Sequence, residues 1–89
     1  MADVRVKIPT MLAALVKGPR RFTVAGDDLG GVIEAVFTLH PELRVHLLDE
    51  QGTVRPHVIF FHNEVAVRTL EGAVSDGDTV TVLQAVSGG

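Results

Sequence analysis

Apolar and polar residues alternate strictly at the start of the chain. Residues 3–8 read DVRVKI, and this period of two predicts a half-buried strand that ends before Pro9. The alternation returns in residues 20–25, RRFTVA, which predicts a second strand. The apolar patch between them, at 10–18, ends in glycine, and we interpret it as a loop with at most one helical turn. We expect the two strands to pair as an antiparallel hairpin.

A helical pattern follows the second strand. Apolar residues recur there at the spacing i, i+3, i+4, i+7 and i+8, namely Leu29, Val32, Ile33, Val36 and Phe37. This spacing predicts one amphipathic helix. Asp27 is the expected N-cap, and Pro41 marks the end of the helix. Gly30 and Gly31 weaken a helix, so we expect them to serve close approach of its start to the sheet.

The second half of the chain carries further strand patterns. Residues 42–56 are polar, and we interpret them as irregular structure. Three strands are predicted beyond them, at 57–62 (HVIFFH), 65–67 (VAV) and 79–85 (TVTVLQA). Asn63-Glu64 turns the chain between the first two, and Asp76-Gly77-Asp78 is the turn before the last. One striped helix with about five strands predicts a two-layer α+β domain.

Composition narrows the class of protein. The chain has 89 residues and no cysteine, which indicates one domain without disulfides, thiolate-bound zinc or a thiol nucleophile. A net charge of −3 argues against non-specific binding of nucleic acid. No stretch is apolar enough to suggest a signal peptide or a membrane span, so we expect a cytoplasmic protein.

The sequence offers little support for a catalytic or metal-binding site. The chain has four histidines, and His57 and His62 lie five apart in one predicted strand, so they point to opposite faces and no metal site is expected. Neither Ser75 nor Ser87 lies in a nucleophile elbow, so a hydrolase is improbable. GDDLGG, at 26–31, lacks the spacing of a phosphate-binding loop, and helix capping explains it better.

Strand parity suggests a surface for a partner protein. If Val58 and Phe60 face the helix, then Ile59 and Phe61 face outward, and Leu83 joins them from the last strand. We name these three outward residues (Ile59, Phe61, Leu83) the docking face. An exposed apolar cluster usually marks a partner surface, although a register slip of one residue would reverse the faces.

The chain finishes LQAVSGG, which raises the question of what two terminal glycines do. A tail without side chains fits a narrow channel where a Cβ would clash. Its terminal carboxylate is ionised at neutral pH and is able to attack ATP, giving an acyl-adenylate that accepts sulfur. We therefore expect a domain over 1–85 and a flexible C-terminal tail over 86–89.

Several stretches resemble the ubiquitin-like sulfur carriers, which include the small subunit of molybdopterin synthase and the thiamine sulfur carrier. They are FHN at 61–63, DGDTVTVL at 76–83 and VSGG at 86–89. The opening VRVKIPT, at 4–10, is similar to the actinobacterial branch that carries sulfur to cysteine biosynthesis. The resemblance covers nearly the whole chain and, with the order of elements, implies a ubiquitin-like β-grasp fold: a mixed sheet packed on one main helix.

The resemblance also implies a function and a set of site residues. It makes Gly89 the site of the adenylate and thiocarboxylate, with Val86, Ser87 and Gly88 as the tail and the docking face as the partner surface. The chain would be a carrier rather than an enzyme and would bind no cofactor, because ATP and Mg²⁺ are used by the activating adenylyltransferase/sulfurtransferase. The acceptor would be a cysteine synthase, a thiazole-synthase-like enzyme or a thiosugar synthase.

Two other functions stay open on the sequence. A ubiquitin-like modifier would use the same adenylate to join Gly89 to lysines of target proteins. A passive β-grasp interaction domain would have a tail without chemical purpose.

Overall fold

The computed structural model describes residues 1–85, and the predicted tail at 86–89 lies outside the described residues. The strands are β1 (Ala2–Lys7), β2 (Arg21–Gly26), β3 (Val58–His62), β4 (Val65–Val67) and β5 (Thr79–Gln84). The helices are α1 (Thr10–Val16), α2 (Leu29–Leu39) and α3 (Arg44–Leu47), and a short 3-10 helix at Pro41–Leu43 leads into α3.

The five strands form one mixed sheet in the order β2-β1-β5-β3-β4. The predicted hairpin is confirmed, because β1 and β2 pair antiparallel from Ala2 opposite Gly26 to Lys7 opposite Arg21. The last strand returns to the middle, where β5 pairs parallel with β1 and antiparallel with β3. This is the ubiquitin-like β-grasp arrangement that the sequence predicted.

The core lies between the inner face of the sheet and the helices. The apolar stripe of α2 is buried as predicted. Strand residues of one parity meet it, and those with at most 5% exposure are Val4, Val6, Val58, Phe60, Val80 and Val82. Burial of such aliphatic and aromatic side chains contributes about 1.5–3 kcal/mol each. No residue with a polar or charged side chain is buried in the described part of the chain.

The segment at 10–18 is more ordered than the predicted loop. Helix α1 makes two turns, and Leu12 and Ala13 on its inner side are buried. Lys17 ends it in the left-handed conformation, with φ of 54°, and Gly18 donates back to the carbonyl of Ala13 at 3.0 Å. The prediction failed because α1 has no side-chain hydrogen bond at its N-cap, Pro9, so burial of its inner side against the core decides it.

The interpretation of 42–56 as irregular is also wrong in its first part. The 3-10 helix and α3 cover residues 41–47, and they bury Leu43 and Leu47, which lie four positions apart. That spacing is the helical signal, and it was masked by the polar residues around it. Residues 48–56 form no helix or extended strand.

The start of α2 corrects the predicted N-cap and confirms the close approach to the sheet. Asp28, rather than Asp27, is the N-cap, and its carboxylate accepts a hydrogen bond from the Gly31 N–H at 2.7 Å. The close approach to the sheet is present, but the residue that demands it most strictly is Gly26 in β2. A Cβ there would lie 2.8 Å from the Val32 nitrogen, closer than real contacts allow.

Candidate functional site

The docking face lies on the outer side of the sheet, as the alternation along the strands predicted. Val58 and Phe60 are buried, whereas Ile59 between them is 40% exposed. Leu83 is 45% exposed and stands directly opposite Ile59 in the β3–β5 ladder. These two apolar side chains therefore form an adjacent, exposed cross-strand pair.

Phe61 extends this surface along β3. It is half-buried and stands opposite Thr81 on one side and Ala66 on the other. Because Phe61 is two residues from Ile59, both side chains lie on the same face of the strand. The structure thus brings together all three residues that the sequence assigned to the docking face.

The docking face adjoins the start of the tail. Leu83 lies two residues before Ala85, the last described residue, whose N–H donates to the carbonyl of His57 at 2.7 Å. His57 itself precedes β3 instead of beginning it, which corrects the predicted strand by one residue. The tail residues Val86, Ser87, Gly88 and Gly89 lie outside the described part, so their predicted roles stay predictions.

A polar cluster fixes the opposite end of β5. The Asp78 carboxylate lies 2.7 Å from Nε2 of His62, and it accepts hydrogen bonds from the Ser75 N–H at 2.9 Å and the Asn63 amide at 3.3 Å. These contacts, with that to His62 the largest, lower the pKa of Asp78 from 3.8 to about 2. Asn63 also accepts from the Thr79 N–H, so the cluster ties the β3–β4 turn to β5.

The sequence predicted a turn here, and no contacts of Asp78 with other elements. Gly77 supplies the turn with a φ of 86°, and Asp76 accepts a hydrogen bond from the Asp3 N–H at 2.7 Å. The sequence signal for the cluster was an aspartate that follows a turn and precedes a strand. This signal does not reveal the side-chain partners of Asp78, because His62 and Asn63 belong to the β3–β4 hairpin. The cluster lies at the far end of β5 from the tail, which indicates a structural role.

The N-terminal N–H groups of α2 are occupied, which supports capping for the GDDLGG segment. Leu29 donates to the Gly72 carbonyl at 2.8 Å and Gly30 to the Leu70 carbonyl at 2.8 Å, while Gly31 donates to Asp28. A phosphate would have to displace these bonds, since it uses the same donors.

The histidines lie in different surroundings. His40 packs edge-on against Phe22 with ring centroids 5.4 Å apart, and His57 is exposed. Within residues 1–85, no three His, Cys, Asp or Glu side chains lie where they would hold a metal ion. Over the same residues, no helix has the length and apolar character to cross a membrane.

The β-grasp sheet with its helices defines a ubiquitin-like protein, and comparison with known proteins gives its family. Residues 13–89 match the ThiS family. The chain belongs to this family and is a ubiquitin-like sulfur carrier, not an enzyme.

Individual relatives agree with this assignment. The chain is 35% identical to the sulfur carrier protein CysO of Mycobacterium tuberculosis and of Mycobacterium bovis, over 98% of this chain and 99% of theirs. Among solved structures it resembles CysO of Mycobacterium tuberculosis, with a TM-score of 0.83, 34% identity and coverage of 93% and 99% of the two chains.

Two other structures are equally similar in shape. A chain of the Amycolatopsis orientalis BexX/CysO complex matches with a TM-score of 0.86 and 32% identity, over 97% of this chain and 99% of that one. SAMP1 of Haloferax volcanii matches with a TM-score of 0.87 and 25% identity, over 99% and 100%.

Proposed function

We propose that this protein carries sulfur as a thiocarboxylate on Gly89 and donates it to a biosynthetic enzyme. The observation that carries the proposal is the match to the ThiS family, which extends through Gly89. The exposed pair Ile59 and Leu83 supports it, because it provides a docking face next to the segment that bears the reactive carboxylate.

The chemistry proceeds on a partner enzyme. The Gly89 carboxylate attacks the α-phosphorus of ATP held with Mg²⁺, so that an acyl-phosphate bond forms and pyrophosphate leaves. A sulfide-equivalent sulfur then attacks the acyl carbon and displaces AMP, which leaves the thiocarboxylate. The thiocarboxylate sulfur then attacks an electrophilic carbon of the acceptor and displaces its leaving group. Water cleaves the resulting acyl–sulfur bond, which leaves the sulfur on the acceptor and restores the carboxylate. The carrier itself needs no bound cofactor for these steps.

The partners are an activating adenylyltransferase/sulfurtransferase and a sulfur-accepting synthase. Similarity to proteins named CysO favours an acceptor that makes cysteine. A thiazole-synthase-like or a thiosugar synthase would accept sulfur by the same docking. We place the carrier in the cytoplasm, since a chain without cysteine has no need of an oxidising compartment.

Intact-mass measurement tests the carrier function. The purified protein is incubated with ATP, Mg²⁺, a sulfide source and extract of its own cell. We expect a mass gain equal to replacement of one oxygen by sulfur, located on Gly89.

Two tail variants serve as controls. Deletion of Gly88 and Gly89, or addition of one alanine after Gly89, should abolish the gain. An unchanged mass for the natural chain, with a competent activating enzyme shown to be present, would contradict the proposal and leave a passive interaction domain.

A protein modifier is the second candidate. The likeness to SAMP1 of Haloferax volcanii favours it, because the full name of that protein is small archaeal modifier protein 1. It shares the adenylate, but an amine of a target lysine replaces sulfide as the nucleophile. Isopeptide-linked adducts through Gly89, found by peptide mass spectrometry after the same incubation without sulfide, would support it. If no such adduct forms although the activating enzyme is shown to be present, the modifier function is wrong.

A further inference from the structure

The outer face of the sheet has a second half, made of cations. Arg5 and Lys7 in β1 and Arg21 in β2 are exposed, and they line one shallow depression together with Thr23 and Thr79. We name Arg5, Lys7 and Arg21 the basic row.

Strand register joins the basic row to the docking face. Lys7 stands opposite Arg21 on one side and beside Thr81 on the other. Thr81 in turn stands opposite Phe61. Since neighbouring strands are about 4.8 Å apart, Arg21 and Phe61 are separated by three spacings, or about 14 Å. The apolar and basic halves therefore form one continuous surface, with Thr81 between them.

The basic row is unfavourable within the isolated fold. Lys7 and Arg21 are like charges directly opposite each other, which destabilises a sheet. In the described part of the chain, no carboxylate oxygen lies within 4.0 Å of a nitrogen of either side chain or of Arg5. Asp3 is the one acid of the same parity in β1, and it stands opposite Ala25.

The clustering of cations on one face stands out because the chain is acidic. The chain as a whole has a net charge of −3, so cations are the minority, yet three of them gather on one face. A nucleic acid is disfavoured as the ligand, because the adjoining half of the surface is apolar and the whole chain is acidic. Apolar contact area with charged residues at its edge is the composition of a protein interface.

We propose that the basic row and the docking face form one binding surface. The activating enzyme covers this surface with an apolar patch that is bordered by carboxylates. This rests on the proposed carrier function. The cations would steer the encounter and fix its orientation, and the apolar pair would supply contact area. The repulsion between Lys7 and Arg21 would be relieved only in the complex.

A charge-reversal variant separates this role from a structural one. Lys7→Glu places opposite charges across the β1–β2 ladder, so its midpoint of thermal unfolding should stay level or rise by about 1–5 °C. In the thiocarboxylation assay, the carrier concentration for half-maximal rate should rise about tenfold or more, with little change in the maximal rate. The dependence on salt should weaken.

Lys17→Glu is the matched control. It makes the same change in net charge on an exposed side chain that follows α1, outside the sheet. We expect less than about a twofold change in the half-maximal concentration, since long-range effects of a single exposed charge are screened. Lys7→Gln and Arg5→Glu serve as further variants if Lys7→Glu folds poorly.

The outcomes distinguish the two proposals. If the natural chain is not thiocarboxylated, the carrier function and the basic-row proposal both fail. If it is, and the Lys7 and Arg5 variants react like Lys17→Glu, only the basic-row proposal is overturned. A weakened, less salt-dependent reaction in a variant of undiminished stability supports it.

Discussion

At the scale of single residues, Asp78 shows how one carboxylate holds a turn in place. It contacts the β3–β4 hairpin through His62 and Asn63 and its own turn through the Ser75 N–H. Hydrogen bonds to the charged form lower its pKa to about 2. The pKa is thus lower in the folded chain than the ordinary 3.8, so the ionised group stabilises the fold above that pH and the stabilisation is lost as the pH falls towards 2.

Asp78→Asn tests this linkage. The variant should unfold at a lower temperature than the natural chain above pH 4, and the difference should shrink between about pH 4 and pH 2. Thermal unfolding followed by circular dichroism across that range measures it. Glu64→Gln removes an exposed carboxylate of the β3–β4 turn and is the control. A difference that stays constant with pH would show that Asp78 acts through geometry alone.

Gly26→Ala tests the contact between β2 and α2. The added methyl group would clash with the backbone at Val32 and Gly31, and backbone atoms move aside less easily than the end of a flexible side chain. We expect a loss of about 1–3 kcal/mol in the free energy of unfolding, measured by urea titration. Gly72→Ala, whose methyl group would make an ordinary 3.5 Å contact with Leu29, should change it by less than about 0.5 kcal/mol. Equal losses would contradict the close approach.

At the scale of elements, the strands were predictable, the first two from alternation and the later three from their β-branched and aromatic residues. The stripe of α2 was equally clear, since one side of that helix is wholly apolar. The short helices were not. Helix α1 has no side-chain hydrogen bond at its N-cap, Pro9, and α3 has only four residues, so burial of Leu12, Leu43 and Leu47 against the core decides them.

The N-cap of α2 belongs to this scale, because capping decides where a helix begins. Asp28→Ala removes the acceptor of the Gly31 N–H and should reduce the free energy of unfolding by about 1 kcal/mol. Asp27→Ala, the neighbouring and more distant carboxylate, should have less than half that effect. Urea titration at neutral pH compares the two. A larger effect at Asp27 would reinstate the capping that the sequence suggested.

At the scale of the whole molecule, the site was only partly predictable. Parity identified Ile59, Phe61 and Leu83 as outward residues. The basic row was not identified, since its residues come from two strands whose place beside β5 the sequence alone does not show. Its connection to Phe61 depends on β5 lying between β1 and β3, and pairing order is a tertiary property that no local pattern records.

Truncation of the apolar pair tests the docking face. Ile59→Ala/Leu83→Ala should reduce the efficiency of thiocarboxylation about tenfold or more, as removal of central contact residues does in protein interfaces. Met11→Ala/Val45→Ala removes two exposed apolar side chains from α1 and α3 and is the matched control. Initial rates and thermal unfolding are measured for both. Equal rates for the two double variants would show that the partner binds elsewhere.

The central position of β5 has a consequence for how the molecule assembles. The strand made last inserts between β1 and β3, and its pairing with β1 joins residues more than seventy positions apart, such as Arg5 and Thr79. Contacts of such long sequence separation form slowly, since a large loop must close before they gain anything. During synthesis on the ribosome, the two hairpins are therefore expected to form no common sheet until β5 emerges. A chain interrupted before that point would lack the strand that joins β1 to β3, so it would be an easier substrate for proteases than the complete fold.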